Sequence, residues 1–125
     1  MHQIRLSAAW QLRRLDEESP RRVKLPIERP IAGPLHFTRS FNKPTNLEDR
    51  TRVFLSITSV DSSSLRVTLN GSVLLMGDRG SISCPLALPI GDHLANANLL
   101  EIELDGDACL LGDVFLEITE PDKTN

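Results

Sequence analysis

The chain has 125 residues and a mass of 13.9 kDa, with 40% hydrophobic and 25% charged residues, and 14 Lys+Arg against 17 Asp+Glu. This is the composition of a globular domain able to bury a core unaided, which excludes a disordered chain or a disulfide-stapled miniature. The formal charge of −3 leaves no electrostatic footprint for nucleic acid or an anionic membrane, and no apolar run reaches membrane-spanning length.

In chain order, Ile4, Leu6, Ala8, Trp10 and Leu12 alternate with mostly polar neighbours, which predicts a strand with one buried face. Arg5 and Gln11 interrupt what would be the apolar stretch of a signal peptide, so a cytoplasmic chain is expected. The basic cluster Arg13, Arg14, Arg21 and Arg22 is broken by Asp16, Glu17 and Glu18, and reads as a solvated turn rather than a phosphate track. A short segment at Val23 and Leu25 follows. Pro26, Pro30, Gly33 and Pro34 then hold a long connection that is neither helix nor central strand. Leu35, Phe37, Arg39 and Phe41 share one strand face, with His36, Thr38 and Ser40 opposite, before a turn at Asn42, Pro44 and Asn46.

Arg52 to Gly71 is the most informative stretch. Val53, Leu55 and Ile57 alternate, a Ser-rich turn follows, and Leu65, Val67 and Leu69 alternate again, which reads as a hairpin. Asn70-Gly71 closes the stretch with a strong turn signal. The chain returns through Val73–Met76 and turns at Gly77-Asp78-Arg79-Gly80. Ile82, Cys84, Leu86 and Leu88 predict a further strand. Pro89 to Leu94 is the one candidate helical turn, with Asp92 as its cap. Leu100, Ile102 and Leu104 form another strand, Gly106 a turn, and Val114, Leu116 and Ile118 the last strand. Residues 121–125 are expected to fray. About eight short strands without a long amphipathic helix predict a single antiparallel β-sandwich over residues 1–120, in two sheets.

Several of these pieces, in this order, match motifs of one family. They are a strand bearing Trp10, the short strand Val23-Lys24-Leu25-Pro26, the aromatic-x-Arg-x-Phe strand Phe37 to Phe41, and the Arg-Val-x-Leu strand Arg52 to Leu55. The Val-x-Leu-Asn-Gly turn at Val67 to Gly71 follows, then Leu94 to Asn98 leading into Leu100 to Leu104. The chain thus resembles the jelly-roll sugar-binding domain that opens the family 2 glycoside hydrolases, the β-galactosidases and β-glucuronidases. That domain belongs to the galactose-binding-like superfamily. Asn96 stands where the family prefers Gly, an exchange that Asn tolerates by entering the left-handed region. No Trp follows Pro26, Phe37 replaces the common Tyr, and the family's long aromatic loop shrinks to Gly77–Gly80. The family's catalytic carboxylates lie on a separate barrel for which 125 residues leave no room, so the resemblance implies the fold and not the hydrolysis.

Candidate chemistry is sparse. No nucleophile elbow or phosphate-binding loop is present, and His2, His36 and His93 lack the spacing of a metal pair. Cys84 and Cys109 are flanked by apolar residues and read as buried free thiols, which pair only if the fold brings them together. Asp105, Asp107 and Asp113 superficially suggest calcium, and galactose-binding-like folds often carry a structural calcium. A polar turn around Gly106 is the favoured reading. Sugar platforms use exposed rings, yet the chain has no Tyr, one Trp and four Phe. Trp10, Phe37 and Phe41 are in phase with buried faces. Phe54 and Phe115 are out of phase, and are left for an outer sheet face that stacks a sugar or packs on a partner, including a second copy. Arg39, in a core row, is expected to pair with an Asp or Glu.

Any ligand is expected at loop ends, at Asp78, Arg79, Asp92 and His93, because a rigid sandwich carries function on its loops. The expected function is a non-catalytic module, carbohydrate-binding-like or used for protein contact, without nucleic-acid or membrane partners. The alternative is a small glycan-active enzyme built on Asp78, Asp92 and His93. It requires two carboxyl groups about 5–10 Å apart in one pocket.

Overall fold

A computed structural model describes residues 2–14, 17–45, 47 and 51–120; the tail expected at 121–125 and the turn positions Asp16 and Asn46 lie outside the described residues. The fold is all-β and antiparallel. Twelve strands, rather than about eight, are formed by the described residues: β1 (His2–Arg5), β2 (Trp10–Arg14), β3 (Arg21–Val23), β4 (Leu35–Asn42), β5 (Arg52–Ile57), β6 (Val60–Asp61), β7 (Ser64–Leu69), β8 (Ser72–Asp78), β9 (Leu86–Pro89), β10 (Ala97–Asp105), β11 (Leu110–Leu111) and β12 (Val114–Thr119). They make a four-stranded sheet in the order β1-β12-β5-β9, a six-stranded sheet in the order β3-β2-β4-β10-β7-β8, and a two-stranded ribbon of β11 and β6. The additional strands come from breaks in alternating runs and from short ribbons.

The period-two pattern explains the core. Leu12, Phe37, Ile102 and Val67 stand opposite one another on neighbouring strands, and each is fully buried. Leu55, Val114 and Leu116 face them from the other sheet, also buried. Side chains of this size stabilise by about 1.5–3 kcal/mol each when fully buried. Trp10 is buried as well, and its indole N–H donates to the Leu6 carbonyl at 2.7 Å.

The first run does not form one strand. β1 pairs with β12 in one sheet, and β2 pairs with β3 and β4 in the other. The chain changes sheet at a corner where Ala9 takes a φ of 64°. Ile4 is therefore on an edge strand and 40% exposed, not in a buried row. The corner also settles Arg39: its guanidinium donates to the Ala8 carbonyl at 2.7 Å and to the Ser40 carbonyl. Backbone carbonyls, not the expected carboxylate, are its partners, because the crossover leaves the Ala8 carbonyl without a ladder neighbour.

The Arg52–Gly71 stretch is also divided. β5 pairs with β12 and β9, and β7 pairs with β10 and β8, so the Ser-rich segment joins two sheets rather than a hairpin. The hairpin is β7–β8. Its turn residues Asn70 and Gly71 have φ of 51° and 84°, as a two-residue turn with both centres left-handed requires. Asn96 is not in the left-handed region, which Ala9 and Asn70 occupy among the described non-glycine residues. The expected strand from Ile82 begins only at Leu86, which leaves Cys84 exposed in the preceding loop; Cys109 is buried and the two thiols are not paired. Gly91–His93 is a short 3₁₀ turn preceded by Ile90, whose side chain cannot cap, so Asp92 lies inside the turn and is not its cap. Arg13 and Arg14 lie on β2 and Arg21 and Arg22 on β3, so the basic cluster stands on paired strands rather than in a turn. Among the described residues no helix is long and apolar enough to cross a membrane.

Candidate functional site

A groove of about 840 Å³ lies on the outer face of the six-stranded sheet, near the end where β8 turns into its loop. The strand register builds it. Arg13 of β2 stands opposite His36 of β4, His36 opposite Glu103 of β10, Glu103 opposite Arg66 of β7, and Arg66 opposite Met76 of β8. Five strands thus place five side chains in one row, spaced by the interstrand distance of about 4.8 Å. A second row on the same face runs Asp105, Ser64 and Asp78.

Basic and acidic side chains are mixed along this surface. Arg66 pairs with Glu103 at 3.2 Å, and His36 approaches Glu101, one row further, at 3.4 Å. Arg13 makes no ion pair among the described residues. The Asp105 carboxylate accepts the Gly106 N–H at 2.8 Å. No aromatic side chain other than the His36 imidazole lines the groove.

The loop-end residues expected from the sequence are not brought together. Asp78 stands opposite Ser64, at the start of β7, and contributes to the groove. Arg79 beside it bonds Asp61 at 3.0 Å and the Ser62 carbonyl at 3.2 Å, which braces the turn. Asp92 and His93 lie by the other end of β7, where Asn70 donates to the His93 carbonyl at 3.0 Å. The six residue steps from Ser64 to Asn70 separate the two groups by about 20 Å. Asp78, Asp92 and His93 therefore share no pocket.

A second hollow of about 680 Å³ opens between the sheets at the opposite end, lined by Ile4, Leu6, Arg39, Phe41 and Asn98 among others. Arg39 is committed there to backbone carbonyls. The four-stranded sheet carries Phe54 and Phe115 on its outer face, diagonal to each other on β5 and β12 and both half-buried. Ser56 stands opposite Phe115 on the same face and is 7% exposed.

Among the described residues no three His, Cys, Asp or Glu side chains converge to hold a metal ion. Asp113 is paired with Arg5 at 2.8 Å, and its own N–H is held by Thr58. The Cys109 thiol is pushed above its ordinary value, first by burial and then by the charge of Asp105.

Sequence reasoning missed the row Arg13, His36, Glu103 and Arg66. The available signal was the polar phase of each strand, such as Glu101 and Glu103 between Leu100, Ile102 and Leu104. Which polar residues become neighbours depends on a register that no local pattern encodes.

No protein-family model and no curated protein matches the chain. Solved structures do. An FMN-binding beta-glucuronidase from Facaelibacterium prausnitzii L2-6 superposes with a TM-score of 0.74 at 19% identity, over 92% of this chain and 22% of that one. A glycosyl hydrolase family 2 member from Bacteroides cellulosilyticus DSM 14838 gives 0.74 at 14% identity, over 97% and 21%. A Beta-D-Mannosidase from Dictyoglomus thermophilum gives 0.70 at 14% identity, over 84% and 16%. The likeness establishes the fold, as the sequence motifs implied. This chain spans about a fifth of the length of those proteins.

Proposed function

We propose that the chain is a non-catalytic recognition module that takes a hydroxyl-rich ligand of the saccharide class along the groove of the six-stranded sheet. The row Arg13, His36, Glu103 and Arg66 carries this reading. It sets two guanidinium donors and an imidazole beside a carboxylate acceptor, and a sugar hydroxyl both donates and accepts. The volume falls within the roughly 300–1,000 Å³ of small-molecule sites. Without a flat ring for a pyranose to stack on, binding rests on hydrogen bonds exchanged with water and is weak.

The non-catalytic part is supported by the distance between Asp78 and the Asp92–His93 turn, which leaves these groups without a common pocket. Two unpaired thiols, one of them exposed, suit the reducing cytoplasm expected from the sequence.

A glycan array followed by titration calorimetry tests the proposal, with parallel thermal-shift screens of sugars and calcium. Arg66→Ala and Glu103→Ala, on an exposed pair that contributes little to stability, should each weaken a detected sugar by severalfold and leave the melting curve in place. A flat array, or a sugar whose affinity ignores both variants, sinks the groove reading. A second reading, protein contact through the outer face of the four-stranded sheet, is favoured by the Phe54–Phe115 pair. Phe115→Lys would abolish such contact and leave sugar binding unchanged.

A further inference from the structure

The six-stranded sheet ends in β8, whose other side has no strand among the described residues. Edge strands are ordinarily protected by charge, Pro or brevity. β8 has seven residues, and its stretch Ser72–Met76 (SVLLM) carries no charge and no Pro. Val73 is 53% exposed and Met76 is 68% exposed; they are two of only four large apolar residues so exposed among those described. Near the far end, the loop folds back: Ser81 Oγ accepts the Asp78 N–H at 3.0 Å and donates to the Asp78 carbonyl at 2.6 Å. The edge is thus closed at Asp78 by its own chain, and open from Ser72 to Met76.

A bulge gives this edge a particular symmetry. Thr68 stands opposite Val73 and Val67 opposite Leu75, so Leu74 is the extra residue. Thr68 and Arg66 are two apart on one face of β7, so their partners Val73 and Met76, three apart, also share one face. Leu74 and Leu75 between them pack against the core. If a second β8 lies antiparallel alongside, with Val73 of each copy opposite Met76 of the other, then outer residues meet outer residues and Leu74 meets Leu75. An unbulged strand could not match faces at this odd offset, because its side chains alternate strictly. No like charges oppose each other anywhere in the Ser72–Met76 seam.

We infer that β8 is a self-pairing edge: two copies of this chain associate antiparallel along Ser72–Met76, joining their six-stranded sheets into one. Met76 also lines the groove, so the second copy's Val73 extends the groove wall at its open end. The seam is small against the roughly 1,200 Å² of a standard stable interface, so the dimer is weak, reversible and dependent on concentration.

Sedimentation velocity across a wide concentration range should show a monomer–dimer equilibrium. Met76→Lys, an exposed substitution that leaves the melting curve unchanged, should remove the dimer. Register is tested in a Cys84→Ser background, which removes the exposed native thiol. A mixture of Val73→Cys and Met76→Cys chains should form the mixed disulfide, while either variant alone should not, since its two thiols would stand about 10 Å apart along the strands. A chain that stays monomeric at every concentration overturns the inference. So does association that survives Met76→Lys and is lost in Phe115→Lys, which would move the contact to the other sheet. Sugar binding by a strictly monomeric chain would overturn the self-pairing alone and leave the groove reading intact.

Discussion

Asn98 offers the sharpest test of how this fold holds together. It is 4% exposed, and all four hydrogen-bonding positions of its amide are filled. Nδ2 donates to the carbonyls of Ala95 at 2.9 Å and Phe41 at 3.3 Å, while Oδ1 accepts the Ala95 N–H at 2.8 Å and Asn70 Nδ2 at 2.9 Å. Asn70 in turn accepts the Leu99 N–H at 2.9 Å and donates to the His93 carbonyl. One amide pair therefore ties the β7–β8 turn, the 3₁₀ turn, the entry to β10 and the end of β4. Asn98→Ala removes four bonds worth about 0.5–1.5 kcal/mol each net and leaves buried partners unsatisfied. Because Asn70 retains two bonds, the expected loss is about 2–4 kcal/mol, with a fall in Tm of roughly 10 °C. Urea unfolding should show a lower midpoint at unchanged slope.

Asn98→Asp separates hydrogen bonding from shape. Its carboxylate would face two carbonyl oxygens in a buried site, which raises its folded pKa above the unfolded value near 3.9. Between those two values the folded chain binds more protons than the unfolded one, so stability falls as pH rises through the window. Asn98→Asp should thus be mildest at acid pH and worsen above about pH 4, whereas the Asn98→Ala penalty stays level. A loss below about 0.5 kcal/mol for Asn98→Ala, or no pH dependence for Asn98→Asp relative to wild type, would refute this account.

Ala9 holds a left-handed conformation that costs an L-residue about 1–2 kcal/mol, against about 0.5–1 kcal/mol of added chain entropy for glycine, so Ala9→Gly should raise stability by up to about 1 kcal/mol in urea. Arg39→Met should lose about 1.5–3 kcal/mol through its carbonyl contacts, and Arg39→Lys should not restore it, because a single ammonium does not span both acceptors. A thiol reagent at neutral pH should label Cys84 alone in the native chain, and Cys109 only after unfolding. With its thiol pKa raised in the fold, Cys109 keeps its proton longer than the unfolded chain does, so its contribution to stability is lost as pH climbs above about 9, and Cys109→Ala should flatten that alkaline slope.

The strand faces were legible because burial on one side of a sheet imposes a period of two. Leu35, Phe37 and Phe41, or Leu100, Ile102 and Leu104, could hardly face elsewhere. The same rule misled at Ile4 to Leu12, since alternation persists through the corner at Ala9 although the strand changes sheet. It misled again between β5 and β7, where a Ser-rich connector looks the same whether it turns within one sheet or crosses to another. Asn98 shows the opposite case. A family motif marked the position, and only the structure gives its reason, an amide whose every donor and acceptor is filled.

The candidate site was hidden for a related reason. Arg13, His36, Glu103 and Arg66 span ninety residues of sequence order and become a row only through three successive registers. Each residue, taken in its own strand, is an ordinary solvated position. Asp78 was legible because a turn is a local event, and it does reach the groove; Asp92 and His93 were legible for the same reason and stand at the wrong end. Loop chemistry in a sandwich can be read residue by residue, but a sheet-face site is a property of strand order. On this chain the surface that a ligand would meet is therefore set by the pairing of β2, β4, β10, β7 and β8. A one-residue slip of any of them would turn that strand's charged side chains into the core, so the register that buries Phe37, Ile102 and Val67 is the same one that assembles the groove.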